Sequence, residues 1–300
     1  MLSILIPSYN FDCSLLVDEL RKQADGLQIS YEILVADDCS EENYRLAMRK
    51  INAWPHCQYL EQERNVGRAI IRNTLARKAT KEWLLFIDAD ALIVKTDFLA
   101  TYLKETQKEE AKNTVFTGGL VYPLEEPEVG KRLRHLYGLF HEQRPEKERN
   151  KKPYRSFSSF NFFVAKQLFM QIPFDETFTA YGHEDTYLGM QLEEHEIPIK
   201  HLDNPLQHDS HESDEEFLIK TRTAIRSLFE KRELLLAGSP LLQTFNRIRK
   251  FHVIFPFALL YLFFNRMIAR QLSGKRPNLT LFSLYKLSYL AIFAIRKGKN

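Results

Sequence analysis

Short apolar runs alternate with stretches of helical periodicity near the start of the chain. Three runs rich in Leu, Ile, Val and Phe, each ending in polar residues as buried parallel strands do, cover 2–7, 32–36 and 82–87. Three stretches with apolar and charged residues at helical spacing cover 14–23, 41–51 and 67–79. The alternation predicts an α/β fold, with a mostly parallel sheet flanked by helices and joined by right-handed crossovers.

The middle of the chain has a different pattern. Residues 125–155 are charged and interrupted by proline, and we predict a mobile loop there that covers an acceptor. The patterns that follow predict a strand over 158–165, a helix over 181–196 and a strand over 199–202.

Composition, cysteine spacing and the N-terminal segment each limit the class of protein. Hydrophobic residues make up 44% of the chain and aromatic residues 12%, which is too much apolar side chain for a disordered protein. Cys13, Cys39 and Cys57 lack the spacing of a metal site, and we expect reduced thiols in a cytoplasmic protein. The N-terminal segment has no basic leader, so we expect a strand there rather than a signal peptide.

Charge is distributed unevenly. Residues 217–300 contain 16 Lys and Arg but only two acidic residues, Glu230 and Glu233, a balance of +14. The preceding residues contain 26 basic and 37 acidic side chains, a balance of −11. The sequence therefore predicts an acidic globular domain over 1–216, followed by a basic region over 217–300.

The basic region is also apolar and aromatic. Residues 251–264 form a 14-residue apolar run broken by His252 and Pro256, and residues 279–295 form a longer run that contains Lys286. The first run is shorter than the roughly 20 residues needed to cross a bilayer. We predict amphipathic helices that lie on an anionic membrane surface, with packing on the globular domain as the alternative.

Carboxylates follow two of the predicted strands. Asp88-Ala89-Asp90 comes directly after the strand over 82–87, and two carboxylates at this spacing suit Mg²⁺ or Mn²⁺ bridged to phosphates. Asp37-Asp38 follows the strand over 32–36 and could accept hydrogen bonds from a base or ribose. A solvated turn explains either pair almost as well.

Two further segments suit a nucleotide. Pro7-Ser8-Tyr9-Asn10 ends the first strand and places Tyr9 where it could stack on a base, although an exposed turn is the simpler interpretation. Asn65-Val66-Gly67-Arg68 begins a helix and Arg72 follows one turn later, a pattern that suits phosphate binding by free amides and guanidinium groups. An Asn cap with surface arginines is the alternative.

The last candidates lie beyond residue 180. Glu184 and Asp185 lie in the first turn of a predicted helix. Either both carboxylates are caps favoured by the helix dipole, or one of them is a general base for an acceptor hydroxyl. His208 follows the strand over 199–202 and is a candidate metal ligand, with His201 and His211 as competitors.

The order of these motifs resembles that of family-2 glycosyltransferases with the GT-A fold. The resemblance covers roughly residues 2–220 and includes Tyr181-Gly182-His183-Glu184-Asp185, which is similar to the acceptor-side segment of galactosyltransferase-type C-terminal regions. It implies a donor-binding half over about 1–122 and an acceptor half over about 156–216. Five motifs in order make a chance match improbable.

The resemblance also implies residue roles. On the donor side it assigns nucleotide binding to Pro7, Tyr9, Asp37, Asp38, Asn65, Gly67, Arg68, Arg72, Asp88, Ala89, Asp90 and Gly119. Asp90 and His208, together with Asp88, would hold Mn²⁺ or Mg²⁺. Asp185 would be the base, and Glu184 would help to position the acceptor. The Gly118-Gly119 pair would let backbone approach the donor sugar, or it could simply bend a strand end.

The implied function is metal-dependent, inverting transfer of a hexose or N-acetylhexosamine. The expected donor is a UDP-sugar, the acceptor a glycan or lipid-linked saccharide in surface polysaccharide synthesis, and the location the cytoplasmic membrane face. One departure stands out, because Cys39 occupies a position where the family commonly has glycine. If that turn needs a positive φ, Cys39 costs about 1 kcal/mol relative to glycine.

Three other classes of protein remain as alternatives. A nucleotide-sugar-binding protein that has lost catalysis would keep the fold, and the departure at Cys39 is its only support. A nucleic-acid-binding protein would use the basic region, but long aliphatic runs interrupt those charges and we expect no nucleic acid partner. A nucleotidyltransferase would need a basic pyrophosphate loop near the N-terminus, and residues 1–20 contain no Lys or Arg.

Overall fold

A computed structural model describes residues 1–209 and 212–298. Its contacts divide the chain into two compact units. The sheet unit contains Met1–Tyr122, Gln143–Thr179 and Glu184–Asp209, and the helical unit contains the remaining residues. Residues 123–142 group with the C-terminal helices, and the domain boundary after residue 216 stays a prediction.

A seven-stranded sheet forms the centre of the sheet unit. Its strands, in chain order, are β1 (Leu2–Ser8), β2 (Tyr31–Asp37), β3 (Cys57–Glu61), β4 (Trp83–Ile87), β6 (Val115–Thr117), β8 (Asn161–Ala165) and β9 (Ile199–His201). Their spatial order is β3-β2-β1-β4-β8-β6-β9. β8 is antiparallel to both of its neighbours and every other pairing is parallel. The predicted mostly parallel α/β sheet is therefore confirmed.

Helices surround this sheet. They are α1 (Ser14–Gly26), α2 (Glu42–Met48), α3 (Arg68–Lys78), α4 (Phe98–Glu105), α6 (Glu146–Asn150), α7 (Lys166–Gln171) and α8 (Glu184–Glu194). The predicted helix over 41–51 is two elements, since α2 tightens into a 3₁₀ helix at Arg49–Ala53. The predicted helix over 181–196 begins only at Glu184.

A second sheet of three short strands connects distant parts of the sheet unit. It consists of β5 (Ala91–Ile93), β7 (Leu120–Val121) and β10 (Leu206–His208), with β10 in the centre. β10 pairs antiparallel with β5, which places His208 opposite Ala91. The pairing therefore places Ala91, the residue after the Asp88-Ala89-Asp90 turn, beside the predicted metal ligand His208.

The prediction of one mobile loop over 125–155 is wrong. The structure has α5 (Arg132–Tyr137), a π-helical turn at Gly138–Glu142, α6 and a 3₁₀ turn at Tyr154–Ser156. These elements are short and have little helical periodicity of their own. They are stable because of tertiary contacts, as most short helices are, and the buried side chain of Arg149 in α6 provides several of these contacts.

The helical unit has its own small core. Besides α5 it contains α9 (Asp214–Glu230), α10 (Arg232–Leu235), α11 (Pro240–Lys250), α12 (Ile254–Leu272) and α13 (Leu279–Lys297). The core contains Leu133, Leu218, Ile268, Leu272, Phe282 and Tyr285. Ser213 and Glu216 form a capping box at the start of α9, which satisfies backbone groups that a helix end leaves open.

The two predicted apolar runs are helices. By length and composition α13 could cross a bilayer, with a mean hydropathy of 1.3, although 33% of that stretch is buried within the fold. α11 and α12 together are also long and apolar enough to cross a bilayer, but they meet at a bend of 114°. Lys286 in α13 lies over the rings of Tyr137 and Phe282, and burial lowers its pKa to about 8.

Candidate active site

Asp90 and His208 lie side by side where the two sheets meet the turn after β4. Asp90 Oδ2 is 3.4 Å from His208 Nε2, and Asp209 N donates a hydrogen bond of 2.8 Å to Asp90 O. Two atoms bound to one ion at about 2.1 Å, at angles of about 90–110°, would be about 3.0–3.4 Å apart. The pair therefore fits two ligands of one divalent cation.

The pair is an incomplete site by itself. Across residues 1–209 and 212–298, no three His, Cys, Asp or Glu side chains are grouped as a metal site. Mg²⁺ and similar ions commonly bind through one or two protein ligands and complete their shell with water and substrate phosphates. The donor set thus suits a cation held jointly by the protein and a phosphorylated ligand. His211, a predicted competitor, lies outside the described residues.

Two aromatic rings stack on His208. The imidazole stacks on Tyr122 with ring centroids 5.3 Å apart and on Phe160 with centroids 5.4 Å apart. Phe160 O also accepts a hydrogen bond of 3.0 Å from Asp88 N. The stack fixes the plane of the ring toward Asp90. Neither aromatic residue was predicted from sequence, because their positions depend on how β7 and the turn before β8 pack.

Arg72 connects the turn after β4 to the start of α8. Its guanidinium is 2.6 Å from Asp88 Oδ1 and 3.3 Å from Glu184 Oε1, and Arg72 and Glu184 are both almost completely buried. Arg68, one turn earlier on α3, is 3.9 Å from the same Glu184 oxygen. The predicted donor-side and acceptor-side carboxylates therefore share one buried cation.

Asp185 is next to this ion pair and has the properties of a base. Desolvation, reinforced by the neighbouring charge of Glu184, raises the pKa of the Asp185 carboxyl to about 6. Its Oδ1 accepts a 2.7 Å hydrogen bond from Thr186 N, while the side chain keeps partial exposure. A carboxylate with a pKa close to neutral is well suited to proton abstraction.

Asp37, the last residue of β2, and the following Asp38 both accept internal hydrogen bonds. Both oxygens of the fully buried Asp37 carboxylate accept hydrogen bonds from Ser40, one from its backbone N at 2.9 Å and one from its hydroxyl. The Asp38 carboxylate accepts from Val66 N at 2.7 Å and from Gly67 N at 2.9 Å. Asp38 thus shapes the loop before α3, and contact of either aspartate with a nucleotide stays a prediction.

Cys39 has a positive φ of 65°, the conformation that the glycine of related proteins would accept without strain. Its Sγ lies 3.6 Å from Arg45 Nη2 and 3.5 Å from Glu63 O. The turn therefore needs a positive φ, as the predicted energetic cost of Cys39 required. The Cβ of Cys39 strains the backbone at this position.

The start of α3 places its predicted ligands at the surface. Asn65 and Arg68 are exposed. Gly67 has a positive φ of 87°, and its backbone lies close to that of Thr179. A Cβ at this position would be 3.1 Å from Thr179 O. Further along α3, Asn73 exchanges two hydrogen bonds with the backbone of Phe174, donating at 2.8 Å and accepting at 3.1 Å. This clamp holds the segment before α8 against α3.

The remaining nucleotide candidates surround the end of β1 and the turn after β4. Tyr9 is 56% exposed and its ring is accessible to a ligand, whereas Pro7 is half-buried and Ala89 is buried. None of these positions conflicts with a nucleotide site, and their roles stay predictions.

Gly118 and Gly119 pack against the protein itself. A Cβ on Gly119 would be 2.7 Å from Arg149 Cζ, and one on Gly118 would be 2.1 Å from Asn204 O. Both glycines are therefore required by internal packing, whether or not a donor sugar approaches them.

Arg149 and His201 form a buried structural pair. Arg149 donates to the backbone oxygens of Gly118 at 3.0 Å and Leu202 at 2.7 Å, and its Nη1 is 2.8 Å from His201 Nδ1. Burial lowers the pKa of His201 to about 4. His201 Nε2 is 2.9 Å from Pro153 O, so both ring nitrogens have partners within the protein. His201 is therefore no longer a competitor of His208 for a metal.

The mostly parallel sheet, with carboxylates at the ends of its strands, has the architecture of the GT-A class of nucleotide-sugar-dependent folds. Residues 3–169, more than half of the chain, match the family described as "Glycosyl transferase family 2". The chain belongs to this family. A relative described as an uncharacterized glycosyltransferase of Haemophilus influenzae is 36% identical over 92 residues, which cover 30% of this chain and 29% of the relative.

Solved structures show the same fold at low identity. S. aureus TarS 1-349 is 18% identical with a TM-score of 0.52, over 99% of this chain and 91% of that protein. The mannosyltransferase PcManGT from Pyrobaculum calidifontis, in complex with GDP-Man and Mn²⁺, is 15% identical with a TM-score of 0.57, over 98% and 86%. These likenesses confirm the predicted GT-A fold.

Proposed function

We propose that the chain is a metal-dependent, inverting glycosyltransferase that transfers a hexose or N-acetylhexosamine from a UDP-sugar. The observation that carries the proposal is the bridge of Arg72 between Asp88, after β4, and Glu184, at the start of α8. This bridge holds the helix that carries a high-pKa carboxylate, Asp185, next to the turn that carries Asp90, the neighbour of His208. A donor site and a base are thereby coupled in one unit.

In the proposed reaction Asp185 accepts the proton of an acceptor hydroxyl. The hydroxyl oxygen forms a bond to the anomeric carbon while the bond to the nucleoside diphosphate breaks, and attack from the opposite face inverts the centre. Glu184 and Arg72 act as positioning residues, because both are buried and bonded to each other rather than exposed to an acceptor.

Asp90 and His208 would hold Mn²⁺ or Mg²⁺, which when bound would neutralise charge on the diphosphate leaving group. The distance between their ligand atoms supports this assignment, and Asp88 is the weaker candidate since its Oδ1 contacts Arg72. The Mn²⁺ in the PcManGT complex is consistent with a divalent cation in this fold.

The donor proposal is supported by what similar folds bind. Structures of TarS 1-349 contain UDP and UDP-GlcNAc, whereas PcManGT contains GDP-Man. The exposed ring of Tyr9 offers a stacking surface for a uracil base. We propose galactose, N-acetylgalactosamine and glucose, in that order, as donor sugars.

We further propose that the acceptor is a glycan or lipid-linked saccharide of surface polysaccharide synthesis, reached at the cytoplasmic face of the cell membrane. α12 supports this location. Large apolar side chains on it are 46–71% exposed, among them Phe255, Leu259, Leu262, Phe263, Phe264 and Met267. Basic residues accompany them, and no acidic residue follows Glu233. An exposed apolar surface beside positive charge suits an anionic membrane interface.

The test is thermal unfolding of the full chain with UDP or GDP, in Mn²⁺ and then in chelator. At 100 times its dissociation constant a nucleotide stabilises by about 2.7 kcal/mol. We expect Mn²⁺-dependent stabilisation by UDP in wild type and none in Asp90→Ala. Asp203→Ala, which removes an exposed carboxylate elsewhere in the sheet unit, should respond like wild type.

Two other results would change the conclusion. If no nucleotide stabilises the protein in a metal-dependent manner, the glycosyltransferase proposal is wrong. If UDP binds with Mn²⁺ but no UDP-sugar is ever hydrolysed or transferred, a catalytically inactive nucleotide-sugar-binding protein is the better description.

A further inference from the structure

A basic pocket lies within the helical unit, formed by residues on α9, α12 and α13. Its volume is about 380 Å³, within the range of small-molecule sites. The lining consists of Arg222, Arg226, Tyr261, Tyr289, Ile292, Phe293, Arg296 and Lys297. Four of these eight side chains are cationic and none is acidic.

The positive charge of the pocket is poorly neutralised by the protein. Lys297 is 3.7 Å from Glu230, an exposed pair that screening makes weak. Arg222, Arg226 and Arg296 have no carboxylate within 4.0 Å among residues 1–209 and 212–298. Cationic side chains that lie close together without carboxylate partners repel one another. A bound anion would reduce this electrostatic repulsion.

Tyrosines orient the arginines. Arg222 Nη1 donates to Tyr285 Oη at 2.8 Å, and Arg226 Nε donates to Tyr289 Oη. Each guanidinium therefore keeps other N–H groups for a ligand, in a fixed orientation. Planar guanidinium groups held in this way suit phosphate oxygens, which they can bind through two parallel hydrogen bonds.

We propose that this pocket binds a phosphate group, as a monoester or diphosphate, separate from the donor site of the sheet unit. The favoured source is a lipid headgroup. Tyr261 lines the pocket from α12, the helix whose neighbouring side chains Leu262 and Phe264 are exposed apolar residues. A phosphate in the pocket could thus be joined to an acyl or prenyl chain that contacts the same helix. The inference does not depend on catalysis by Asp185.

The experiment compares wild type with Arg296→Glu and with the matched control Arg270→Glu. Arg296 and Arg270 are both exposed residues of the helical unit, and only Arg296 lines the pocket. Binding is measured to phosphatidylcholine vesicles that contain phosphatidate or phosphatidylglycerol, adjusted to equal surface charge. A second arm measures thermal stabilisation by inorganic phosphate and pyrophosphate without vesicles. Unfolding curves confirm that each variant is folded.

If the pocket holds a lipid phosphate, wild type should prefer phosphatidate severalfold over phosphatidylglycerol. Arg296→Glu should lose this preference and Arg270→Glu should keep it, although both bind all anionic vesicles more weakly. If the source is a soluble phosphate, pyrophosphate should stabilise wild type and Arg270→Glu but not Arg296→Glu, and no lipid preference should appear. Equal behaviour of the two variants in both arms would overturn the proposal. Nucleotide binding provides an independent check, because neither variant should alter stabilisation by UDP.

Discussion

The guanidinium of Arg72 lies 2.6 Å from Asp88 Oδ1, and the arginine is only 1% exposed. The same group reaches Glu184, 112 residues further along the chain. Such a cation is costly to bury unless its partners are fixed, and each partner is costly to bury without the cation. The contacts of Arg72 with Asp88 and Glu184 therefore constrain the relative positions of α3, the turn after β4 and α8.

Replacement of Arg72 by methionine should destabilise the protein strongly. Removal of one member of a buried ion pair typically costs about 3–5 kcal/mol, because the remaining charge is left without a partner. Urea denaturation would measure the change. Arg77→Met is the matched control on the same helix, since Arg77 and Glu176 form an exposed pair and its loss should cost less than about 1 kcal/mol. Equal effects of the two substitutions would contradict the proposed role of Arg72.

Asp185→Asn should abolish most transfer while nucleotide binding is kept. Loss of a general base typically lowers the rate about 10²–10⁴-fold. Because the pKa of Asp185 is raised to about 6, kcat/KM of the wild type should fall as pH decreases below about 6. The pH profile of transfer with a UDP-sugar tests this expectation. A wild-type profile that stays flat down to pH 4.5 would exclude Asp185 as the base.

The same pKa has a consequence for stability. A carboxyl whose pKa is raised on folding contributes stability at low pH, and that contribution is lost as pH rises from about 3.8 through about 6. Asp185→Asn should therefore unfold at a higher temperature than wild type at pH 8, with a smaller difference near pH 4. A constant difference across this range would show that ionisation of Asp185 is not its cause.

Cys39→Gly should stabilise the protein by about 1 kcal/mol, because glycine adopts the positive φ of this turn without the strain of a Cβ. Greater freedom of glycine in the unfolded chain offsets part of the gain. Cys57→Gly is the control, since Cys57 lies in β3, where glycine should destabilise. Denaturation midpoints of the two variants should move in opposite directions.

His208→Phe separates the metal role of His208 from its packing role. Phenylalanine retains the stack between Tyr122 and Phe160 but removes the nitrogen that faces Asp90. We expect unfolding without ligand to change little, while Mn²⁺-dependent stabilisation by UDP falls severely. If Mn²⁺ dependence is unchanged, Asp90 acts without His208.

Local patterns in the sequence were sufficient for much of the sheet unit. The runs over 2–7, 32–36 and 82–87 agree with β1, β2 and β4 to within one residue at each end, because all three strands are almost fully buried and consequently apolar. β3 was not predicted. It is an edge strand in which only Tyr59 is buried, while Gln58 and Glu61 are exposed, so it has no continuous apolar run to detect.

The candidate site was predictable residue by residue but not as a set of contacts. Asp90, His208, Glu184 and Asp185 could be proposed from motif order, yet the bridge through Arg72 and the stack around His208 depend on contacts between distant segments. Arg149 illustrates the same limit. A charged residue in a proline-rich stretch suggested a solvent-exposed loop, whereas its guanidinium is buried among backbone carbonyls that only the folded chain assembles.

The pairing of β5 with β10 joins the turn that carries Asp90 to a strand formed more than a hundred residues later. A nascent or truncated chain that ends before Leu206 would contain every residue expected to contact the nucleotide. Of the two neighbouring candidate metal ligands it would contain Asp90 but not His208. Response to Mn²⁺ would then report that the last strand has been incorporated, and it could serve as an assay of complete folding in fragments and variants.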